Sequence, residues 1–112
     1  MIICHRGITK FYPENTIGSI NDTIRDKRYD GIEIDIQLTK DNEWVIYHDY
    51  NLLRLNSINV EIKYTNYYDL NLIEWKGNKF KINRLEELLE LETGNFIFNI
   101  EIKTNFMRVR YC

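Results

Sequence analysis

Isoleucine alternates with polar residues through Ile32-Glu33-Ile34-Asp35-Ile36-Gln37-Leu38, a period of two that a strand explains and a helix does not. The run Phe96-Ile97-Phe98-Asn99-Ile100-Glu101-Ile102-Lys103 predicts a second strand of the same kind. Near the start, the short apolar run of residues 2–6 predicts a buried strand, and the turn residues from Gly7 to Pro13 predict a loop. Ile17, Ile20 and Ile24 then recur at helical spacing. They predict a helix that begins near Asn15 or Thr16, either of which can cap it, runs to about Arg28, and stops before Gly31. Only Thr39 to Glu43 separates the alternating strand from Trp44-Val45-Ile46-Tyr47-His48, which is too short for a parallel crossover, so the second run should turn back antiparallel. Residues 49–81 are polar, tyrosine-rich and without a clear period; they read as an irregular insertion with one short helix around Asp69 to Ile73. Leu85, Leu88, Leu89 and Glu92 predict a helix of about two turns ending at Gly94. With the insertion set aside, the order is strand, helix, strand, helix, strand, which is the α/β order of a parallel sheet with right-handed crossovers.

Alternation also sorts the side chains by face. Glu33 and Asp35 share one face of their strand, and Asn99, Glu101 and Lys103 share one face of theirs. On neighbouring parallel strands these would bring three carboxylates together, and like charges at that range repel unless a proton or a cation intervenes. Three oxygen ligands with no cysteine suit a hard ion, calcium or magnesium, better than zinc. The plainer alternative is two amphipathic strands, each with one wetted face. His5 and His48 are the only histidines, each at the end of a predicted strand and beside a charged residue, Arg6 and Asp49. As a pair they suit acid and base roles; singly, each suits a surface position equally well. Arg6 can bind phosphate through its forked guanidinium, and Lys103 can add positive charge or simply pair with Glu101. Cys4 and His5 are adjacent, hence on opposite faces, which argues against a cysteine–histidine nucleophile pair.

Composition narrows the field. A chain of 112 residues with 15 Lys plus Arg against 17 Asp plus Glu is one domain at most and has no basic surplus to neutralise a nucleic-acid backbone. Its longest apolar runs fall far short of the ~20 residues of a membrane helix. The two cysteines, Cys4 and Cys112, match no metal-ligand spacing and are too few for a disulfide framework, and the first residues lack signal-peptide features; the expected setting is cytoplasmic.

His5-Arg6-Gly7, Pro13-Glu14-Asn15-Thr16, Gly31 through Asp41, Val45-Ile46-Tyr47-His48-Asp49, Leu85-Glu86-Glu87-Leu88-Leu89 and Asn99-Ile100-Glu101-Ile102-Lys103 occur in an order that resembles the glycerophosphodiester phosphodiesterase family. The resemblance implies a (β/α)8 TIM barrel. Since such a barrel needs about 250 residues, the expected fold is a partial one: roughly the first three βα units, with a hairpin-containing insertion after the second strand, in a domain of residues 1–112 truncated at its C-terminus. By motif, the resemblance places metal-binding carboxylates at Glu33, Asp35 and Glu101, with Ca2+ or Mg2+ as cofactor. Catalytic histidines fall on His5 and His48, substrate phosphate-binding on Arg6 and Lys103, and a supporting glutamate on Glu14. It implies hydrolysis of a small glycerophosphodiester to an alcohol and glycerol phosphate, through a cyclic phosphate, with one histidine as base and the other as acid. Two other readings stand beside it: a non-catalytic remnant that binds phosphate or a partner chain, and a related phosphodiesterase acting on sphingolipid or lysophospholipid head groups. Counting strands further predicts self-association or a complementing C-terminal half, because a three-strand sheet leaves edges and apolar faces uncovered.

Overall fold

The computed structural model describes residues 1–73 and 81–103. In chain order the elements are β1 (Ile3–His5), α1 (Ile17–Arg25), β2 (Gly31–Leu38), β3 (Trp44–Ile46), β4 (Asn51–Leu52), α2 (Leu53–Asn56), β5 (Ile58–Glu61), a 3-10 turn (Ile62–Tyr64), α3 (Tyr67–Asn71), a second 3-10 segment (Leu85–Glu90) and β6 (Ile97–Ile102).

The strand β2 organises the molecule. Parallel β1 pairs with it from Gly31 to Glu33, and parallel β6 from Gly31 to Ile36. Antiparallel β3 pairs with its far end, Ile36 opposite Ile46 and Leu38 opposite Trp44, as the short connection predicts. Because β6 overlaps both of the others along β2, β1 and β3 lie end to end on the opposite edge. Gly31 stands where β2 passes close to β6: a Cβ there would lie 2.5 Å from the Ile97 carbonyl oxygen, so only glycine fits. It opens the strand and does not serve as the helix stop.

Two apolar clusters flank the sheet. Ile32, Ile34 and Ile36 pack with Ile20 and Ile46 under α1 and the Leu85–Glu90 segment. Val45 and Tyr47, on β3 and just beyond it, pack with Leu52, Ile62, Leu70 and Ile82. The second cluster corrects the reading of residues 49–81 as irregular: as far as Ile73 the segment is a β4–β5 hairpin, two short helices and a 3-10 turn closed over their own core, and residues 74–80 lie outside the described residues.

Other corrections are local. Thr16 caps α1 by accepting from the Ser19 N–H, while Asn15 has a different task; the helix ends at Arg25 rather than Arg28 because Asp26 adopts an extended backbone. The Leu85–Glu92 helix is a 3-10 segment ending at Glu90. The first strand is only partly buried, with Cys4 inside and Ile2 and Ile3 exposed. Among the described residues no helix is long and apolar enough to cross a membrane.

Candidate active site

Register brings the carboxylates together. Pairing of β2 with β6 sets Glu33 beside Asn99 and Asp35 beside Glu101 on the face opposite the isoleucine core. One oxygen from each of Glu33, Asp35 and Glu101 lies within 4.8 Å of the others. This is not a wetted strand face, since Asp35 is fully buried. A buried carboxylate needs compensation, and Asn15 and two cations supply it. The Asn15 amide donates to Asp35 Oδ2 at 3.0 Å, and its carbonyl accepts the Asp35 backbone N–H at 3.1 Å. The Arg6 Nε stands 3.6 Å from the same Oδ2, and Lys103 Nζ 3.9 Å from Oδ1.

Burial pushes the Glu33 carboxyl up to about 7, and the negative charges of Asp35 and Glu101 push in the same direction. Glu101 moves the other way: its hydrogen bond to Lys103, 3.2 Å, holds it below the usual carboxylate range. Glu33 Oε1 and Asp35 Oδ1 are buried without a hydrogen-bond partner. Orphaned, inward-facing anionic oxygens of this kind are what a bound cation would satisfy, so the residues fit a hard divalent ion.

The loop after β1 carries the next shell of charge. Arg6 and Asn15 both have left-handed backbone, φ 62° and 57°, a conformation that asparagine tolerates but that an arginine keeps only when its surroundings hold it. Here the Arg6 N–H donates to the Glu33 carbonyl at 2.8 Å and the Asn15 N–H donates to the Arg6 carbonyl at 2.9 Å. This geometry turns both side chains toward Asp35. Gly7, at φ 91°, continues the turn where a side chain would strike Ser19.

His5 leaves the end of β1 with its Nε2 3.6 Å from Glu33 Oε1, and its side chain is largely open to solvent. His48 follows β3. The Tyr47 N–H donates to the Asp35 carbonyl at 2.9 Å, and Gln37 Nε2 donates to the carbonyls of Tyr47 and Asp49, at 2.9 and 2.7 Å, so the residues around His48 are tied to β2 from both sides. His48 Nδ1 lies 2.7 Å from Asp49 Oδ1.

All eight residues singled out in the sequence fall in one connected network. His5 meets Glu33; Arg6 bridges Asp35 and Glu14; Lys103 bridges Asp35 and Glu101. His48 joins through two residues that sequence reasoning left without a role, Asp49 and Arg54, the latter paired with both Asp49 and Glu14. Asn15 is a third residue of the site, one that the sequence offered only as a helix cap. Asp49 and Asn15 stand inside the quoted motifs, a signal that could have marked them for the site; Arg54 lies in the insertion, and nothing local marks it.

Comparison with known proteins gives the family. Residues 5–110 match the model of the glycerophosphoryl diester phosphodiesterase family. The chain belongs to that family. A glycerophosphodiester phosphodiesterase of Bacillus altitudinis is 35% identical over 115 aligned residues, which is 96% of this chain and 46% of that protein. Among solved structures, the glycerophosphodiester phosphodiesterase of Thermotoga maritima superposes with a TM-score of 0.78 at 33% identity, over 93% of this chain and 44% of that one. A phosphodiesterase from Oleispira antarctica, solved with the product sn-glycerol-3-phosphate, gives 0.79 at 30% identity over 92% and 44%. The chain thus spans somewhat under half the length of these relatives, and its mostly parallel sheet, open among the described residues, is part of a (β/α)8 barrel rather than a closed one.

Proposed function

We propose that this chain carries the metal-binding and proton-transfer part of a phosphoric diester hydrolase that cleaves glycerophosphodiesters to an alcohol and glycerol phosphate. The observation that carries the reading is the single network that joins two histidines, two cations and three converging carboxylates, two of which keep orphaned buried oxygens. Glu33, Asp35 and Glu101 would hold the divalent ion, Ca2+ or Mg2+, which when bound supplies Lewis-acid polarisation of a phosphoryl oxygen. His5 and His48 exchange protons with the attacking hydroxyl and the departing alcohol, each at the ring nitrogen that faces substrate. Arg6 and Lys103, already held by carboxylates, present fixed N–H donors to the charge that gathers on the phosphoryl oxygens. Preorganised donors contribute most there, because they need no rearrangement as the charge develops.

The exposed Ile100 and Ile102 on β6 support a further part of the reading, that a complementing half or a second copy covers this strand in the active form.

Hydrolysis of glycerophosphodiesters, with and without chelator, tests the reading in the form of the protein that turns over. His5→Ala and His48→Ala are each expected to lower turnover by roughly 100-fold or more, while the rise in thermal midpoint on adding the cation survives both changes. Near-parental turnover in either variant would make that histidine structural and overturn the two-histidine scheme. Parallel assays on lysophospholipid and sphingolipid diesters decide the head-group class.

A further inference from the structure

Arg54 stands in α2, inside the insertion, and makes four hydrogen bonds to two carboxylates. Its Nη1 and Nη2 donate to Glu14 Oε1 and Oε2 at 3.0 and 2.8 Å, and its Nε and Nη2 donate to Asp49 Oδ2 and Oδ1 at 2.9 and 3.0 Å. A planar guanidinium gripping two carboxylates fixes their orientation, which a lysine ammonium cannot do. One of these carboxylates, Asp49, is the partner of His48 Nδ1. The other, Glu14, also meets Arg6 Nη1 at 3.4 Å.

We infer that Arg54 is a positioning residue that locks Asp49 in place, and through it commits neutral His48 to the tautomer with its proton on Nδ1 and its lone pair on Nε2. The chemistry of the pair decides the direction. The hydrogen bonds from Arg54 hold the Asp49 carboxyl below its ordinary range, outweighing burial, with His48 acting in the same sense. An ionised carboxylate only accepts, so the shared proton sits on Nδ1. Nε2 is then the nitrogen free to take or give a proton, and a histidine so held is oriented as well as poised. Among the described residues Arg54 forms its ion pairs with Asp49 and Glu14 and not with the three metal-site carboxylates, so it acts through those two groups.

The inference rests on His48 being a proton-exchanging group, but its test does not depend on turnover. Long-range proton–nitrogen NMR of His48, at a pH where the ring is neutral, reads the tautomer directly in the intact chain. Parental protein is expected to show Nδ1 protonated and Nε2 bare. In Arg54→Ala the two nitrogen shifts are expected to move toward each other as the tautomers mix, and Arg54→Lys is expected to recover only part of the difference. Arg54→Gln, which keeps much of the side-chain stem, should behave as Arg54→Ala does; it supplies the measurement if the alanine variant fails to fold. Unchanged Nδ1 protonation in a folded Arg54→Ala or Arg54→Gln protein would overturn the assignment. A loss of turnover in the parental protein would count against the proposed hydrolysis and leave this result standing.

Discussion

The strands β2 and β6 carry nearly the same pattern, isoleucine alternating with acids and amides, yet they sit in opposite environments. Ile34 is fully buried, and Ile100, its register partner, is 41% exposed. Asp35 is buried, and the side chain of its partner Glu101 is 55% exposed. The difference comes from neighbours. β2 has strands on both edges and an apolar layer of α1 and the Leu85–Glu90 segment over its isoleucines, whereas β6 pairs, among the described residues, only with β2. Alternation therefore sets which residues share a face, and position in the sheet sets how strongly each charge is felt. The candidate site uses both. Its buried member, Asp35, is caged by Asn15, Arg6 and Lys103, while its outer member, Glu101, is neutralised by a single lysine.

The isoleucines of the two strands should respond most differently to truncation. Ile34→Ala is expected to cost about 3 kcal/mol, the usual range for truncating a fully enclosed side chain. Ile100→Ala should cost about 1 kcal/mol or less, because much of its surface is already in water. Urea unfolding of the two variants checks this, and equal losses would mean that β6 is as enclosed as β2. Light scattering on the Ile100 variant adds whether that face mediates association.

A smaller effect lies in pH. In metal-free protein the raised Glu33 keeps its proton up to about 7, whereas the unfolded chain releases it near 4.5. Between those values the folded state binds more protons, so stability falls as pH rises through the window and levels off above it. Glu101 has the opposite sign: its pairing with Lys103 adds stability above the ordinary 4.5, which is lost as pH falls through its lowered value. Denaturation midpoints across pH 4 to 8 are expected to show a decline that Glu33→Gln flattens and Glu101→Gln leaves in place. A decline that persists in Glu33→Gln would assign it to other groups.

What the sequence disclosed follows the same division between pattern and position. Period-two alternation was enough to put Glu33 and Asp35 together, and loop length was enough to turn β3 back along β2. Beyond the strand faces that bring Glu101 to Glu33 and Asp35, side-chain contacts between distant residues were not legible. Asn15 reaches Asp35 across 20 positions and Arg54 reaches Glu14 across 40, and no local pattern announces either. The insertion hid its order for a related reason: Leu52, Ile62, Leu70 and Ile82 close one core but stand too far apart along the chain for any single period to register. The left-handed backbone of Arg6 was equally silent, since arginine has no preference for it, and Asn15, a residue type that tolerates it, carries no mark that it is used here.

If Glu33, Asp35 and Glu101 form one cation site, proton and metal compete for it. Isothermal titration of Ca2+ and Mg2+ into chelator-treated protein near pH 7, repeated in buffers of different ionisation enthalpy, measures binding and proton release together. The expected result is one ion per chain with a fraction of a proton released, because Glu33, pushed up to about 7, must give up its proton to bind. Proton release should vanish in Glu33→Gln, and affinity should fall in Glu33→Gln and Glu101→Gln. No heat at millimolar metal in folded protein, or binding that neither substitution weakens, would contradict the account.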